Sequence, residues 1–142
     1  MEAYATVACR GHPQVRGTHP TTFEVTAEEH LTAAGDCIIG VAAEYGAAAL
    51  PREFRGVLCH DDAVLLTRLI AGDLQVEVRS RGSADLTFTH PADMVWRRSR
   101  YVDGRTVGIL SDRTAVTLPR DLIDLLRKGG TLVVEMKATR PG

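Results

Sequence analysis

The sequence contains no asparagine and only two glutamines, Gln14 and Gln75. Both amides are thermolabile, so their scarcity fits a protein that works hot. Fifteen arginines against two lysines, Lys128 and Lys137, fit a GC-rich coding bias equally well. Aromatic residues make up 5 % of the chain, little for a protein built to stack on bases. The three cysteines, Cys9, Cys37 and Cys59, are odd in number, widely spaced and free of any C-x-x-C. That excludes a disulfide framework and a zinc knuckle and leaves small buried residues in a reducing compartment. The longest apolar run, Cys37 to Ala43, is too short to span a bilayer, and no basic stretch leads into an apolar core at the N-terminus. A cytoplasmic protein without membrane contact is expected. A net charge of −1 gives no global field to attract nucleic acid or anionic lipid. H-E-x-x-H, G-x-S-x-G, a P-loop and G-x-G-x-x-G are all missing, which removes the common metalloprotease, serine hydrolase, nucleotide-hydrolysing and dinucleotide-binding readings.

What is present says nearly the same thing twice. Val7, Arg10, Gly11, Thr18, His19 and Pro20 recur as Val78, Arg81, Gly82, Thr89, His90 and Pro91, at an offset of 71. Gly40, Ala47, Leu50, Pro51, Arg52 and Leu58 recur as Gly108, Ala115, Leu118, Pro119, Arg120 and Leu126, at an offset of 68. A chain of 142 residues reads as one domain, burying about 70 % of its unfolded surface. It is expected to be two tandem repeats, about 4–71 and 75–138, related by an internal pseudo-two-fold axis.

Each repeat shows the same local signals. Strands are expected at 4–10, 22–26, 36–43, 63–70 and 74–80, then at 84–89, 93–97, 105–111 and 131–138. Leu50, Phe54, Val57 and Leu58 share one helical face, as do Leu118, Leu122, Leu125 and Leu126. Pro51 and Pro119 suit a helix start, Glu53 and Asp121 suit its positive end, and Gly129-Gly130 suit its stop. Gly40 and Gly108 fall inside strands, which predicts another backbone passing close by. The fold class is therefore α+β and strand-dominated: a pseudo-two-fold duplicated β-barrel with two short helices, of the double-psi or cradle-loop kind, closed so that no edges remain.

The string Thr18-His-Pro-Thr-Thr-Phe-Glu-Val-Thr, then Leu31-Thr and Gly35-Asp-Cys-Ile-Ile-Gly-Val-Ala-Ala, resembles an archaeal family, domain of unknown function 371. Arg10-Gly-His, Thr89-His-Pro-Ala-Asp-Met-Val and Asp103 to Ile109 are also similar to it, so the resemblance covers nearly the whole chain. It implies an archaeal cytoplasmic protein with no established activity. Ala33-Ala34 stand where such proteins often carry Pro-Arg, so any anion site built on that arginine is missing here.

The candidate site residues come in pairs. His19 and His90 each sit in Thr-His-Pro, held extended by the proline. With Asp36, Asp93 or Asp112 they have the donor types for a divalent metal, His19, His90 and Asp36 foremost. The structural alternative is that each ring caps its own turn. Arg52 and Arg120 follow the helix-opening prolines, where a guanidinium and free helix N–H groups make an anion site; the alternative is an ion pair with Glu44 or Asp112, or snorkelling. Trp96-Arg97-Arg98-Ser99-Arg100-Tyr101, with Arg105, is the one basic cluster interleaved with aromatics, the parts of a single-stranded nucleic acid contact; a solvated strand is the alternative. Asp36 enters an apolar strand, and Cys37 beside it could act as a nucleophile were a base near.

The leading expectation is a non-catalytic module binding a small ligand or anion where the two Thr-His-Pro loops converge, through His19, His90, Asp36, Asp93, Arg52 and Arg120. A second reading is a metal-dependent enzyme using His19, His90, Asp36 and Asp93. A third is an RNA-contacting protein using Arg97, Arg98 and Arg100. A homodimer is expected if closure leaves an apolar edge.

Overall fold

A computed structural model describes residues 1–32 and 34–142; Ala33, half of the Ala33-Ala34 departure, lies outside them. The elements run β1 (Glu2–Arg10), β2 (Thr22–Thr26), β3 (Ile38–Gly40), α1 (Arg52–Leu58) and β4 (Val64–Ala71). They continue with β5 (Leu74–Arg81), β6 (Asp93–Arg97), β7 (Thr106–Gly108), α2 (Arg120–Arg127) and β8 (Thr131–Thr139). A 3₁₀ turn precedes each helix, at Ala47–Ala49 and Ala115–Thr117. The same order of elements thus occurs twice.

The strands form two four-stranded sheets. The larger has the order β1-β8-β4-β5 and is antiparallel throughout. The smaller has the order β3-β2-β6-β7, with β2 and β6 antiparallel at the centre and short parallel partners outside. Alternation makes the larger sheet amphipathic: Ala3, Ala5, Val7, Leu65, Leu69, Val78, Leu132 and Val134 are buried between more exposed neighbours. Phe23 and Trp96 of the smaller sheet are wholly buried and stacked, with ring centroids 4.8 Å apart. The Trp96 indole N–H donates to Thr67 Oγ1 at 2.9 Å, tying one sheet to the other through the core. The helices close the ends: α1 packs on β1 and β8, α2 on β3 and β4.

The architecture is α+β and strand-dominated as expected, but the closed barrel is corrected to two open sheets. The apolar runs 36–43 and 105–111 shrink to three-residue strands because Ala42 and Leu110 adopt left-handed φ of 54° and 50°. These edges therefore meet the larger sheet at single bridges only, Arg10–Val41 and Arg81–Ile109. The expected strand 84–89 is also a loop: Phe88 takes φ 49°, so burial of Leu86 and Phe88 comes without pairing. Gly40 and Gly108 are needed for a different reason from the expected backbone crossing. A Cβ on Gly40 would meet the Cys9 and Leu132 side chains, and one on Gly108 those of Ser80 and Leu65. The other sheet's side chains fill the space.

Several tertiary bonds recur at the two offsets. Arg10 and Val41 exchange N–H···O bonds of 2.8 and 2.7 Å, and Arg81 and Ile109 do so at 2.8 and 3.0 Å. The Val116 N–H donates to the His19 carbonyl, and the Ala48 N–H to the His90 carbonyl. Each Thr-His-Pro loop is thus held by the 3₁₀ turn of the other half.

Candidate functional site

The site is built on the face of β2–β6 that points away from Phe23 and Trp96. Side chains alternate along strands, so Thr22, Glu24 and Thr26 share this face with Asp93, Val95 and Arg97. The register pairs Thr22 with Arg97, Glu24 with Val95 and Thr26 with Asp93. An offset of 71 maps this pairing onto itself, with Glu24 and Val95 at its centre. Two loops lie across the face. Glu24 N–H donates to the Cys37 carbonyl at 2.9 Å and Val95 N–H to the Arg105 carbonyl at 2.8 Å. Both loops form because parallel β2–β3 and β6–β7 pairs require crossovers.

These loops bring five charges together. Arg97 Nη2 lies 3.0 Å from Asp103 Oδ2, and its Nε donates to Thr106 Oγ1 at 2.8 Å. Asp103 also accepts the Arg105 N–H at 2.9 Å and the Thr106 hydroxyl at 3.2 Å. Burial alone would raise the Asp103 pKa, but the Arg105 amide and the Arg97 guanidinium outweigh it and hold it low. Arg105 spans the cluster: Nη1 is 3.6 Å from Glu24 Oε1 and 3.7 Å from Asp93 Oδ2, and Nη2 is 3.4 Å from Asp103 Oδ2. Burial opposes its charge, and the Glu24, Asp103 and Asp93 carboxylates more than restore it.

Glu24 is the unusual member. It is 5 % exposed, yet its close polar side-chain partners among the described residues are only Arg105 and the Cys37 thiol, at 3.9 Å. Burial, with repulsion from Asp93, pushes its pKa up to about 7 despite Arg105. A carboxyl in that state is half-protonated at neutral pH. Cys37 is pushed up to about 11 by burial and by Glu24, so it is a thiol, not an activated thiolate.

The predicted residues divide. His90 and Asp93 join the cluster, with Nε2 and Oδ2 3.7 Å apart. Both histidines cap their own turns. His90 Nδ1 accepts the Ala92 and Asp93 N–H groups at 3.1 and 2.9 Å, and His19 Nδ1 those of Thr21 and Thr22 at 3.2 and 3.1 Å. An Nδ1 that accepts twice leaves the neutral ring's proton on Nε2, so neither nitrogen offers a free lone pair to a metal. Asp36 meets His19 through main chain: its carbonyl accepts the Thr18 and His19 N–H groups. Among the described residues no three His, Cys, Asp or Glu are grouped to hold a metal ion. Arg120 donates to the carbonyls of Gly17, Ala115 and Leu118 at 2.6–3.1 Å, binding its helix to the Thr-His-Pro loop rather than presenting a free guanidinium. Arg52 is exposed. Asp112 accepts the Arg79 N–H at 2.9 Å, and Glu44 the Ala8 N–H at 2.7 Å, so neither pairs with these arginines. Trp96 lies in the core and cannot stack on a base. Arg97 is held by Asp103 and lies 4.9 Å from the Tyr101 ring centroid; Arg98, Arg100 and Tyr101 are exposed.

The model of a family described as domain of unknown function 371 matches residues 7–139. The chain belongs to that family. A protein of Methanocaldococcus jannaschii that bears the description uncharacterized is 32 % identical over 130 residues, 92 % of this chain and 96 % of that relative. For this member of the 371 family, as for the archaeal relative, the comparisons attach no activity. No helix among the described residues is long and apolar enough to cross a membrane.

Sequence reasoning passed over Glu24 and valued Asp103 and Arg105 only as parts of longer strings. One signal was available. Glu24 is a charge at the middle of a five-residue strand whose counterpart at offset 71 is Val95. A carboxylate where the sister position is apolar marks a local departure from the shared plan.

Proposed function

We propose that this protein is a non-catalytic binding module, built by tandem duplication, whose ligand is a small molecule that presents a cationic group to the outer face of β2–β6. The observation that carries the reading is Glu24, a carboxyl 5 % exposed whose nearest cation stands 3.6 Å away and is shared with two other carboxylates. Arg97 and Asp103 form the tight pair. Glu24 and Asp93 then share Arg105, with the His90 ring 3.7 Å from Asp93, and with that ring neutral one negative charge is in excess. A proton on Glu24 relieves that excess in the free protein, and a ligand ammonium or guanidinium takes its place. Buried charges need such compensation. The Arg105 side chain, 38 % exposed, covers the carboxylates from the solvent side, where a ligand enters.

Tandem duplication is supported by the recurring offsets, the repeated element order and the recurring tertiary bonds. A reducing, cytoplasmic setting is supported by three free cysteines. The non-catalytic part rests on the protonated Cys37 thiol and on the two histidines being engaged by main chain.

Thermal unfolding in the presence of butylamine and of methylguanidine tests the reading. Both should raise the melting temperature, more at pH 8 than at pH 6, because binding displaces the Glu24 proton. Glu24→Gln should abolish the gain. No stabilisation of the wild type by either cation would sink it.

A further inference from the structure

A second site lies away from Glu24, at the end of β5. A cleft of about 480 Å³ is lined by Asp61, Arg81, Ser83, Asp85, Arg100 and Leu110, with Gly82 and Ile109. That volume falls among those of small-molecule sites, about 300–1,000 Å³. Its charges do not cancel by pairing. The Arg81 and Arg100 guanidinium groups make no ion pair or hydrogen bond among the described residues, although two carboxylates line the same cleft. Asp61 uses Oδ1 to accept the Ala84 N–H at 2.9 Å; the Asp85 carboxylate has no partner among the described residues.

Ser83 adds a buried polar group. It is 5 % exposed, and its Oγ accepts the Asp85 N–H at 3.1 Å. Its hydroxyl proton has no acceptor among the described residues. Facing the cleft, that hydroxyl is free to donate to a ligand oxygen. Leu110, 39 % exposed at φ 50°, supplies an apolar wall. Its N–H donates to the Ser99 carbonyl at 3.1 Å, which fixes the segment carrying Arg100 against the cleft.

The matching region of the first half has different chemistry. At the two offsets Asp61 corresponds to Gly129, Ser83 to His12 and Asp85 to Gln14, and Arg100 lies in a stretch whose length differs between the halves. The left-handed turn is common to both halves, at Ala42 and Leu110, so it belongs to the frame. Arg81 repeats Arg10 and Asp61 comes from the first half, so what the second half adds is Arg100, Ser83 and Asp85.

We infer that this cleft binds a small zwitterion, an α-amino acid with an apolar side chain. Arg81, Arg100 and the Ser83 hydroxyl offer donors to its carboxylate. Asp61 and Asp85 offer acceptors to its ammonium, and Ile109 and Leu110 face its side chain. A simple anion would meet two carboxylates here, and a simple cation two guanidinium groups.

Titration of the full chain with leucine, followed by amide NMR, tests the inference, with acetate and butylamine as single-charge controls. Leucine should shift the Gly82, Ser83 and Leu110 amides. Arg100→Ala and Asp85→Asn, both at exposed positions, should each weaken leucine binding at least tenfold while keeping the folded spectrum elsewhere. No leucine-dependent shift at these amides would overturn the inference. So would acetate binding as tightly as leucine, or undiminished binding in both variants. Because butylamine is expected to act at Glu24, its shifts map to β2–β6, and failure at one site is distinguishable from failure at the other.

Discussion

Residues 22–37 and 93–105 occupy equivalent places in the two halves, and their main chains are held alike. Each follows, three residues on, a histidine whose Nδ1 accepts two N–H groups. Each contributes a central strand and a crossover loop that accepts an N–H from it. The side chains on the outer face differ at almost every step. Thr22 corresponds to Asp93, Glu24 to Val95, Thr26 to Arg97, Gly35 to Asp103 and Cys37 to Arg105. The second half supplies four of the five charges, and the first supplies the one carboxyl they surround. The difference teaches where constraint lies. Main-chain bonds and core packing hold the frame, so outer-face side chains can change without loosening it.

The most severe way to probe this equivalence is to fill the close approaches at Gly11 and Gly82. A Cβ on Gly11 would run into the Leu126 carbonyl of α2, and one on Gly82 into the Leu58 carbonyl of α1. Alanine at either position should cost about 3 kcal/mol or more by urea denaturation, since backbone cannot yield as a side chain can. A large loss at one and none at the other would break the equivalence.

The next largest effect sharpens the difference instead. The Glu24 pKa in the folded protein is about 7 against a usual 4.5. An acid whose folded value is raised favours the fold most below its unfolded pKa. Between pH 4.5 and about 7 the folded state holds the extra proton, so stability falls as pH rises and then levels off. The span corresponds to about 3 kcal/mol. Denaturation midpoints across pH 4–8 should show this decline in the wild type, and Glu24→Gln should flatten it. Parallel curves for the two proteins would place the titration elsewhere.

Arg52 and Arg120 give a smaller contrast. Arg120→Ala should cost about 1–3 kcal/mol because several carbonyls lose a charged donor. Arg52→Ala, at an exposed position, should stay within about 0.5 kcal/mol. Equal losses would show that the two guanidiniums do the same work. Smallest is the comparison of His19→Ala with His90→Ala. Each removes one acceptor of two main-chain N–H groups and should cost about 1 kcal/mol. A loss confined to His90 would mean that its contact with Asp93, not the shared turn, matters.

Much of the frame was legible locally. The strands at 22–26 and 93–97 fall where alternation and β-branched residues put them, and Pro51 and Pro119 each stand immediately before a helix. Leu86 and Phe88 show the limit, because their alternation mimics a strand while Phe88 turns left-handed. Its counterpart at offset 71 is Gly17, with φ 60°, so the repeat itself carried the warning. The charge cluster was harder to see because Glu24, Asp93, Arg97 and Arg105 come from segments with no regular spacing in the chain.

By itself the chain order determined the strand-rich class and the two proline-led helices, because each depends on residues near one another in sequence, and the recurring motifs are read directly off the chain. Tertiary structure alone decided that the sheets stay open, that the histidines turn their Nδ1 atoms inward, and that Glu24 is enclosed. Those outcomes depend on β2 meeting β6 across some seventy residues and on two crossover loops folding over the pair. The field felt by a carboxyl is set by neighbours in space, and sequence spacing does not encode it.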